Sequence, residues 1–435
     1  MLPAEYDNPG DERILLIGLH TAGSGLTGVG MSLAKTLAQN RVVGYAGIEL
    51  RDRHQSCNVL PPLKFTRTLS ARGPRFAVNQ AELDATIESF HPTLILVIGS
   101  LYPVRPLLQQ LQPQRLARRL ALYVAIEAEL TDTNALGVFY DCDLILTYSD
   151  FARDSVRKLS GQSRQAAVLP PIVAVGHGIT ERRQFFPIKE PSKQAGEINA
   201  MRSAIFGRLT NFRTSSFVIL NANRAYYRKR LDISVAGFSE FLQRTDADAY
   251  LYLHALFLAE SEREAIVAQC TKLGVANRVY VIPRAESYNP RSLSDLNLLY
   301  NAADVGLNTA MGEGFGLVSF EHALAGRPQV VPDHTGLHET WYGAAEMVPA
   351  TQRQPVFYEY GDMFKVSASG VAEALLPLYC DRDYRSRAGM AASTRARDDA
   401  FSWNKVSDRI IDAMDRCEIE DRLPFRKPAY PLPTT

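Results

Sequence analysis

The chain has 435 residues and a formal net charge of +1, and 46% of its residues are hydrophobic against 22% charged. This length predicts two domains of ordinary size. The balanced charge excludes a global electrostatic attraction to nucleic acid or membrane as the basis of function. Five scattered cysteines, with no Cys-x-x-Cys pair, argue against a disulfide framework and a zinc site.

The N-terminal residues and the lengths of the apolar runs bear on the cellular location of the protein. Residues 1–12 are acidic and contain proline, unlike a signal peptide, and no apolar run reaches the ~18 residues of a membrane span. We therefore expect a cytoplasmic protein, with peripheral contact at a membrane left open. The composition does not indicate an oligomeric state.

The first apolar run, residues 13–19, predicts a strand, which leads into a glycine-rich stretch and a helix over 31–39. A second strand is predicted over 42–48. Within the stretch, Gly23-x-Gly25-x-x-Gly28 fits the dinucleotide fingerprint, with Glu49 at a suitable distance. The pattern is short, so it suits any ligand that crosses the edge of a parallel sheet.

The rest of the first half alternates short apolar runs with helical patterns, apart from residues 51–79, which we expect to be irregular. The alternation predicts a parallel sheet covered on both faces. The predicted strands are 93–98, 120–126, 143–148 and 166–169, and the predicted helices are 80–90 and 151–159.

A second alternation begins after a polar segment, and it predicts a second doubly wound unit. Its strands are predicted at 217–221, 249–254, 278–282, 304–308 and 329–331, and its helices at 232–242, 260–273 and 295–302. We predict an N-terminal domain over 1–187, a linker over 188–213 and a C-terminal domain over 214–400. Residues 401–435 would form a helix that crosses back, followed by a proline-rich tail. The predicted fold class is α/β, with two Rossmann-like domains facing across a cleft.

A glycine-rich loop that runs into an apolar helix, residues 311–328, is the strongest candidate site. Glycines let a ligand approach the backbone, and the N-terminus of the following helix favours an anion. Glu313 precedes this helix and Glu321 lies inside it, and carboxylates accept hydrogen bonds from hydroxyls. Phosphate together with hydroxyls describes a nucleotide sugar.

A basic run after the strand 217–221 supplies the charges that phosphate needs. Residues 223–230 hold Arg224, Arg228, Lys229 and Arg230. Arg224 and Lys229 are five apart across a turn, so both can reach one diphosphate. A solvated helix start is the alternative interpretation.

In their order along the chain, these features resemble the GT-B glycosyltransferases of the large retaining family 4. The resemblance also includes residues 178–187, the Asp-Leu-x-x-x-Tyr-x-x-Ala-Asp pattern of Asp295–Asp304, the E-x7-E of Glu313 and Glu321, and Ser402-Trp403. It covers most of residues 13–415 and is stronger in the second half.

The resemblance implies a role for each matching residue. Arg224 and Lys229 would bind the donor diphosphate, and Glu313 would hold hydroxyls of the donor sugar. Glu321 would bind the ribose. The remaining donor-binding residues would be Gly23, Ser24, Gly25, Asn223, Gly314, Phe315, Gly316 and Leu317.

One departure concerns the acceptor side. Members of the family often carry a histidine after the mid-domain strand, where this chain has Glu127-Ala128-Glu129. Glu127 could therefore act as an acceptor-side polar group or as a base. No His/Asp/Glu cluster has the spacing of metal ligands, so we expect neither a metal nor a cofactor beyond the nucleotide-diphosphate sugar.

The acceptor is open at this stage. Seven Arg and Lys residues over 41–75 and the cluster of Arg115, Arg118 and Arg119 allow an acidic acceptor such as a lipid phosphate, a phosphorylated sugar or DNA. Two alternatives to a transferase are a nicotinamide-dependent oxidoreductase and a non-catalytic nucleotide-sugar-binding protein. The first leaves the Arg224 and Glu313 motifs unexplained.

Overall fold

The computed structural model describes residues 12–20, 25–49, 65–70, 76–162, 168–180, 182–188 and 193–420. Within these ranges no helix is both long enough and apolar enough to cross a membrane. Gly23 and Ser24, and most of the basic segment 41–75, lie outside the described residues.

The N-terminal half is built around a seven-stranded parallel sheet. Its strands are β1 (Arg13–Leu19), β2 (Val42–Glu49), β3 (Phe65–Ser70), β4 (Leu94–Ser100), β5 (Arg119–Ala125), β7 (Leu144–Thr147) and β8 (Ile172–Ala174), in the spatial order β3-β2-β1-β4-β5-β7-β8. The two-residue strand β6 (Glu129–Leu130) belongs to the other sheet. The long apolar strands are buried on both faces, as parallel sheets require.

Helices cover this sheet on both sides. They are α1 (Gly25–Leu37), α2 (Gln80–Phe90), α3 (Leu101–Leu111), α4 (Leu136–Tyr140) and α5 (Asp150–Gln162). Helix α1 begins six residues before the predicted residue 31, so Gly25 and Gly28 lie in its first turns rather than in a loop. Strand β3 falls within the segment predicted to be irregular, where proline and basic residues mask a short edge strand.

The C-terminal half repeats the arrangement. Its parallel strands are β9 (Phe217–Asn221), β10 (Ala249–Leu253), β11 (Val279–Val281), β12 (Val305–Leu307), β13 (Gln329–Asp333) and β14 (Glu346–Val356), in the order β11-β10-β9-β12-β13-β14. Its helices are α6 (Lys193–Phe206), α7 (Leu231–Gln243), α8 (Glu260–Lys272), α9 (Arg284–Ser287), α10 (Leu293–Ala302), α11 (Leu317–Leu324), α12 (Thr335–Trp341), α13 (Ala368–Cys380), α14 (Arg382–Ala396) and α15 (Trp403–Glu420).

Helix α6 occupies the range predicted as a linker. Its buried positions include Ala195, Arg202, Ile205 and Phe206, a helical spacing in which an arginine stands among the apolar residues. The Arg202 guanidinium donates to the Ser216 carbonyl and pairs with Asp304. Because a buried, paired arginine interrupts the apolar stripe, the sequence pattern is too faint to predict this helix.

A hairpin joins the two halves. The second part of β14 pairs antiparallel with β15 (Gly361–Val366), and β15 pairs antiparallel with β6 of the N-terminal half. The register places Gly361 opposite Leu130 and Asp362 opposite Glu129. The sequence analysis predicts neither of these two pairings.

Helix α15 returns to the N-terminal half. Arg41 near the end of α1 pairs with Asp415 of α15, and Arg119 at the start of β5 donates to the Met414 carbonyl at 3.0 Å. The Arg409 guanidinium donates to the Val175 carbonyl at 2.7 Å. The last helix therefore packs across the first domain rather than extending the second.

Candidate active site

The site lies where the carboxyl ends of the two sheets face each other. Glu127 follows β5 and Tyr148 follows β7 in the first sheet. In the second sheet, Arg224 follows β9 and Glu313 follows β12, and these two neighbouring strands flank the point where the strand order reverses. Such a switch point is where open α/β sheets bind ligands.

Glu313 is the most enclosed charged group of the site, with 4% of its surface exposed. The Lys229 ammonium pairs with its Oε1, and Arg228 Nη1 lies 3.2 Å from its Oε2. Burial alone would raise the pKa of Glu313, but Lys229 and Arg228 lower it to about 2, so the carboxylate is charged. Burial and the neighbouring Arg228 lower the pKa of Lys229 to about 8.

Arg228 connects the two domains. Its Nη2 lies 2.5 Å from Glu127 Oε1 in the N-terminal domain, while its Nη1 donates to the Gly312 carbonyl at 2.7 Å. Burial raises the pKa of Glu127, and the Arg228 charge opposes this shift. The backbones also meet here, because a Cβ on Gly312 would lie 1.9 Å from the Glu127 carbonyl oxygen. Only glycine fits at this contact.

Arg224 and Asn223 stand at the same strand end. Arg224 is exposed, and its charge is among those that lower the pKa of Glu127. Asn223 is buried, and its backbone N–H and side-chain amide both donate to Asn221 Oδ1, at 3.1 and 2.9 Å. The structure thus brings the four predicted catalytic residues into one cluster at the cleft.

The glycine loop leads into α11 with a left-handed residue. Gly316 has φ of +87° and precedes the helix, whose first turn has no side-chain cap. The first N–H groups of such a helix are without intrahelical partners, which suits an anion. A Cβ on Gly25 would lie 3.6 Å from the Leu317 side chain, so α1 and α11 begin beside each other.

Phe315 anchors this loop rather than lining it. Its ring is buried and stacks on Phe320 and on His177, with centroid distances of 4.3 and 4.4 Å. Gly314 is held from the other side, since a Cβ on Gly336 would lie 2.4 Å from its carbonyl oxygen. The backbone of residues 314–317 is therefore fixed before any ligand arrives.

Glu321 lies in the middle of α11, eight residues after Glu313. The Tyr300 hydroxyl donates to its Oε2 at 2.8 Å. Burial raises the pKa of Glu321 to about 7, and the hydrogen bond from Tyr300 opposes part of this shift. The side chain is partly buried rather than solvated, as the apolar residues around it in the sequence indicate.

Three residues of this cluster were not singled out in the sequence analysis. Arg228 stands in the predicted basic run, but its contacts with both domains have no sequence signal. Thr335 has φ of +52° and accepts a hydrogen bond from the Glu313 N–H at 3.2 Å. A β-branched residue in this conformation is strained, as is common at functional sites. Glu359 lies between β14 and β15 and is distant in sequence from Glu127.

No group of three or more His, Cys, Asp or Glu side chains that could hold a metal ion occurs in the part of the chain that the structure describes. Arg228 and Lys229 contact the loop through Glu313, and Arg224 stands at the same strand end. The described part of the site therefore offers cations for a phosphate-bearing ligand and carboxylates for its hydroxyls.

Comparison with known families decides the class of protein. A model of the family 4 glycosyltransferases in conflict systems matches residues 154–410, more than half of the chain. The chain belongs to this family. It is therefore a glycosyltransferase and not a nicotinamide-dependent oxidoreductase. A search of curated proteins finds no match.

Solved structures support the fold of this glycosyltransferase. Sucrose-phosphate synthase from Thermosynechococcus elongatus has a TM-score of 0.70 at 14% identity, over 94% of this chain and all of that one. Anabaena HepE, solved with UDP and glucose, has a TM-score of 0.63 at 15% identity, over 93% of this chain and all of that one. An Escherichia coli protein described as trehalose-6-phosphate bound with UDP-2-fluoro glucose has a TM-score of 0.66 at 13% identity, over 94% of this chain and 99% of that one. The predicted GT-B fold, two Rossmann-like domains facing across a cleft, is confirmed.

Proposed function

We propose that the protein transfers a sugar from a nucleotide-diphosphate sugar to an acceptor, with retention of the anomeric configuration and without a metal ion. The observation that carries this proposal is the pairing of Arg228 and Lys229 with Glu313 before the start of α11, with Arg224 close enough to Glu127 to lower its pKa. Two of the structurally similar proteins were solved with UDP or a UDP-sugar, which supports a nucleotide-sugar donor.

The donor would lie across α11. Its diphosphate would contact Arg224, Lys229 and the N–H groups of residues 315–317, where cations and a helix N-terminus act together. The ribose hydroxyls would donate to Glu321, and the sugar hydroxyls would donate to Glu313. In the ligand-free state Lys229 is neutralised by Glu313, and a bound diphosphate would share this cation.

Transfer would begin with cleavage of the bond between the anomeric carbon and the phosphate oxygen. Negative charge then develops on the leaving phosphate, and Arg224 and Lys229 would stabilise it in the position that a metal ion occupies in other transferases. The acceptor oxygen would attack from the face that the phosphate leaves, and a new bond to the same carbon would form. This geometry gives retention.

Glu127 would take the proton of the acceptor hydroxyl. Its Oε1 is bound by Arg228, and its other oxygen has no hydrogen-bond partner among the described residues. Burial raises its pKa, and a carboxylate with a raised pKa is a stronger base. Glu127 would act here in place of the histidine that is common at this position in the wider family.

Alanine at Arg224 and at Lys229 tests the donor site. Each variant is expected to lower kcat for sugar transfer by about 100-fold or more, the scale of losing one group that stabilises developing charge. The assay measures nucleotide release from a panel of UDP- and GDP-sugars, with product stereochemistry determined by NMR.

Arg213→Ala is the matched control, because Arg213 precedes β9 at the opposite end of the sheet and is 72% exposed in its pair with Asp248. It should retain full activity. Near-wild-type transfer by both Arg224→Ala and Lys229→Ala would contradict the donor site. An inverted product, or loss of activity in EDTA that Mg²⁺ restores, would contradict retention or metal independence.

A further inference from the structure

A chain of tyrosines borders the cluster on the side away from α11. Tyr226 and Tyr227 follow Arg224, and Tyr358 and Tyr360 stand at the end of the β14–β15 hairpin. Ring centroids are 5.0 Å apart for Tyr226–Tyr227 and 5.3 Å apart for Tyr227–Tyr358. Tyr102 of α3 continues the chain, at 6.4 Å from Tyr358 and 5.9 Å from Tyr360. These rings span both domains beside Glu127.

Part of this surface is open to a ligand. Tyr226 is 50% exposed and Tyr358 is 39% exposed, and Phe357 next to it is 77% exposed. Large aromatic side chains are rarely left exposed together on a surface without a binding role. Their position beside the proposed base is where the acceptor must lie.

Glu359 adds a carboxyl group to this surface. It makes no hydrogen bond or ion pair with the part of the chain that the structure describes. Burial and the nearby Glu127 raise its pKa to about 8, against the Arg228 charge. A carboxyl in this setting is available to a hydroxyl of a ligand.

Two buried polar atoms beside Glu127 also have no partner. They are the Tyr148 hydroxyl and Arg228 Nε, in residues that are 5% and 8% exposed. Tyr148 lies against Gly314, since a Cβ there would be 3.6 Å from its ring, and Glu127 contributes to raising its pKa, after burial. Unsatisfied buried polar atoms are uncommon, and at a binding site they indicate groups that a ligand satisfies.

The charges on this side do not suit an acid. Arg224 and Lys229 are assigned to the donor diphosphate, and Arg228 lies between Glu127 and Glu313. Arg105 Nη1 lies 3.5 Å from the Tyr360 hydroxyl. Arg228 Cζ lies 5.9 Å from the centre of the Tyr226 ring, but Glu127 and Glu313 already pair with this guanidinium. Among the described residues, the acceptor would therefore meet Glu127, Glu359 and a cation whose charge is already compensated.

One of the basic groups predicted to allow an acidic acceptor, the cluster of Arg115, Arg118 and Arg119, lies elsewhere. Arg119 begins β5, whereas Glu127 follows the other end of the same strand, about 20 Å away for seven residues. Arg119 pairs with Glu12, and Arg115 pairs with Asp143. Arg118 Nη1 donates to Gln114 at 2.8 Å. This cluster is therefore structural and is remote from the proposed base.

We propose that Tyr226, Tyr358, Glu127 and Glu359 form the acceptor site, and that the acceptor is a neutral polyhydroxylated ring, a sugar without a phosphate or carboxylate group. An aromatic face packs on the apolar C–H face of such a ring, and the carboxyl groups of Glu127 and Glu359 form hydrogen bonds with its hydroxyls. The inference rests on the proposed function, because it assigns the second substrate of the same reaction.

The test begins with donor binding by the wild-type protein, measured by calorimetry with UDP- and GDP-sugars. Absence of binding would overturn the proposed function itself. With the donor that binds, nucleotide release is then measured with neutral mono- and disaccharides and with the 6-phosphates of the same sugars. We expect a neutral sugar to accelerate release and to yield a glycosylated product by mass spectrometry.

The variants Tyr226→Ala, Tyr358→Ala and Glu359→Gln locate the site. Each should raise the KM for the neutral acceptor about tenfold, equivalent to about 1.4 kcal/mol. Tyr342→Ala is the matched control, because Tyr342 is 68% exposed and packs on His338. It follows the end of α12, whereas the start of that helix contacts Glu313. Two outcomes would overturn this inference while donor binding persists: a preference for phosphorylated sugars, or an unchanged acceptor KM in all three variants.

Discussion

Glu321 shows how burial alters a single carboxyl group. Its pKa is raised to about 7 from 4.5 because the side chain is shielded from water, and Tyr300 offsets only part of this effect. Glu313 on the same loop shifts the opposite way, since Lys229 and Arg228 compensate its burial. The pKa values of two glutamates eight positions apart therefore shift in opposite directions, because only Glu313 is paired with cations.

Glu321 should make stability depend on pH. A carboxyl whose pKa is raised by folding stabilises the folded state when protonated, so its contribution is present below about 4.5 and is lost as the pH rises through about 7. We expect the free energy of unfolding to fall between pH 5 and 8 by at most roughly 3 kcal/mol from this group, less with solvent screening.

Urea unfolding of the wild-type protein and of Glu321→Gln at several pH values measures this contribution. The variant should lose part of the slope, and the remainder should include Glu359, whose pKa is also raised, to about 8. Glu373→Gln, at a side chain that is 66% exposed, is the control. Equal slopes in the wild-type protein and Glu321→Gln would show that burial does not perturb this carboxyl.

At the scale of elements, the β14–β15 hairpin distinguishes this molecule from two separate doubly wound domains. It extends the C-terminal sheet by β15 and then by β6 from the other domain. The Thr131 and Asp132 N–H groups both donate to the Tyr360 carbonyl, at 3.0 and 2.9 Å. The hairpin carries Tyr358 and Glu359 to the cleft, so its pairing positions part of the proposed acceptor site.

Gly361→Ala should disrupt this pairing. A Cβ at position 361 would lie 2.1 Å from the Glu129 carbonyl oxygen, and the backbone must move to relieve the clash. Hydrogen exchange of the Thr131 and Asp132 amides should become faster in the variant, because local opening exposes them. Gly161→Ala is the control, since nothing lies within 4 Å of a Cβ there. Unchanged exchange in Gly361→Ala would contradict the interdomain pairing.

At the scale of the whole molecule, the two domains contact each other through charged groups as well as through the hairpin. Arg228 bridges Glu127 and Glu313, and Glu339 of α12 accepts hydrogen bonds from the Asp150 and Phe151 N–H groups at the start of α5, at 3.1 and 2.8 Å. Helix α15 adds further contacts with the N-terminal domain. The two domains are thus held together by several independent contacts.

The bridge through Arg228 should couple the domains energetically. Arg228→Met would leave Glu127 and Glu313 with less compensation, and we expect a loss of roughly 3 to 5 kcal/mol in unfolding free energy. Glu127→Gln introduced into Arg228→Met should restore part of this loss, because one buried charge is removed. A double-mutant cycle by chemical denaturation gives the coupling energy.

The surface pair of Arg230 and Asp232 provides the comparison, with side chains 20% and 48% exposed. Its cycle should give less than about 1 kcal/mol. If the Arg228–Glu127 cycle gave a value as small as this one, the bridge would contribute no more to stability than a surface pair.

The prediction of the fold rests on signals that are local in the sequence. Strand β1 is predicted with its observed bounds, as are α2 and β9, because each is an apolar run or a helical period that adjacent residues define. Helix α6 and the β14–β15 hairpin are not predicted. The buried stripe of α6 contains Arg202, and the hairpin is polar on its exposed positions, so neither shows a clear apolar period.

The sequence by itself determined the donor side of the site, because Arg224, Lys229, Glu313 and Glu321 stand in short motifs attached to strand ends. Only the tertiary structure decided what faces them. Glu127 and Gly312 are far apart along the chain, yet their backbones touch, and Glu359 reaches the same place on a hairpin from the other domain. Contacts between residues so distant in sequence depend on how two sheets pack, which no local pattern encodes. For that reason the motifs point to the proposed donor site, whereas the packing brings together the residues of the proposed acceptor site.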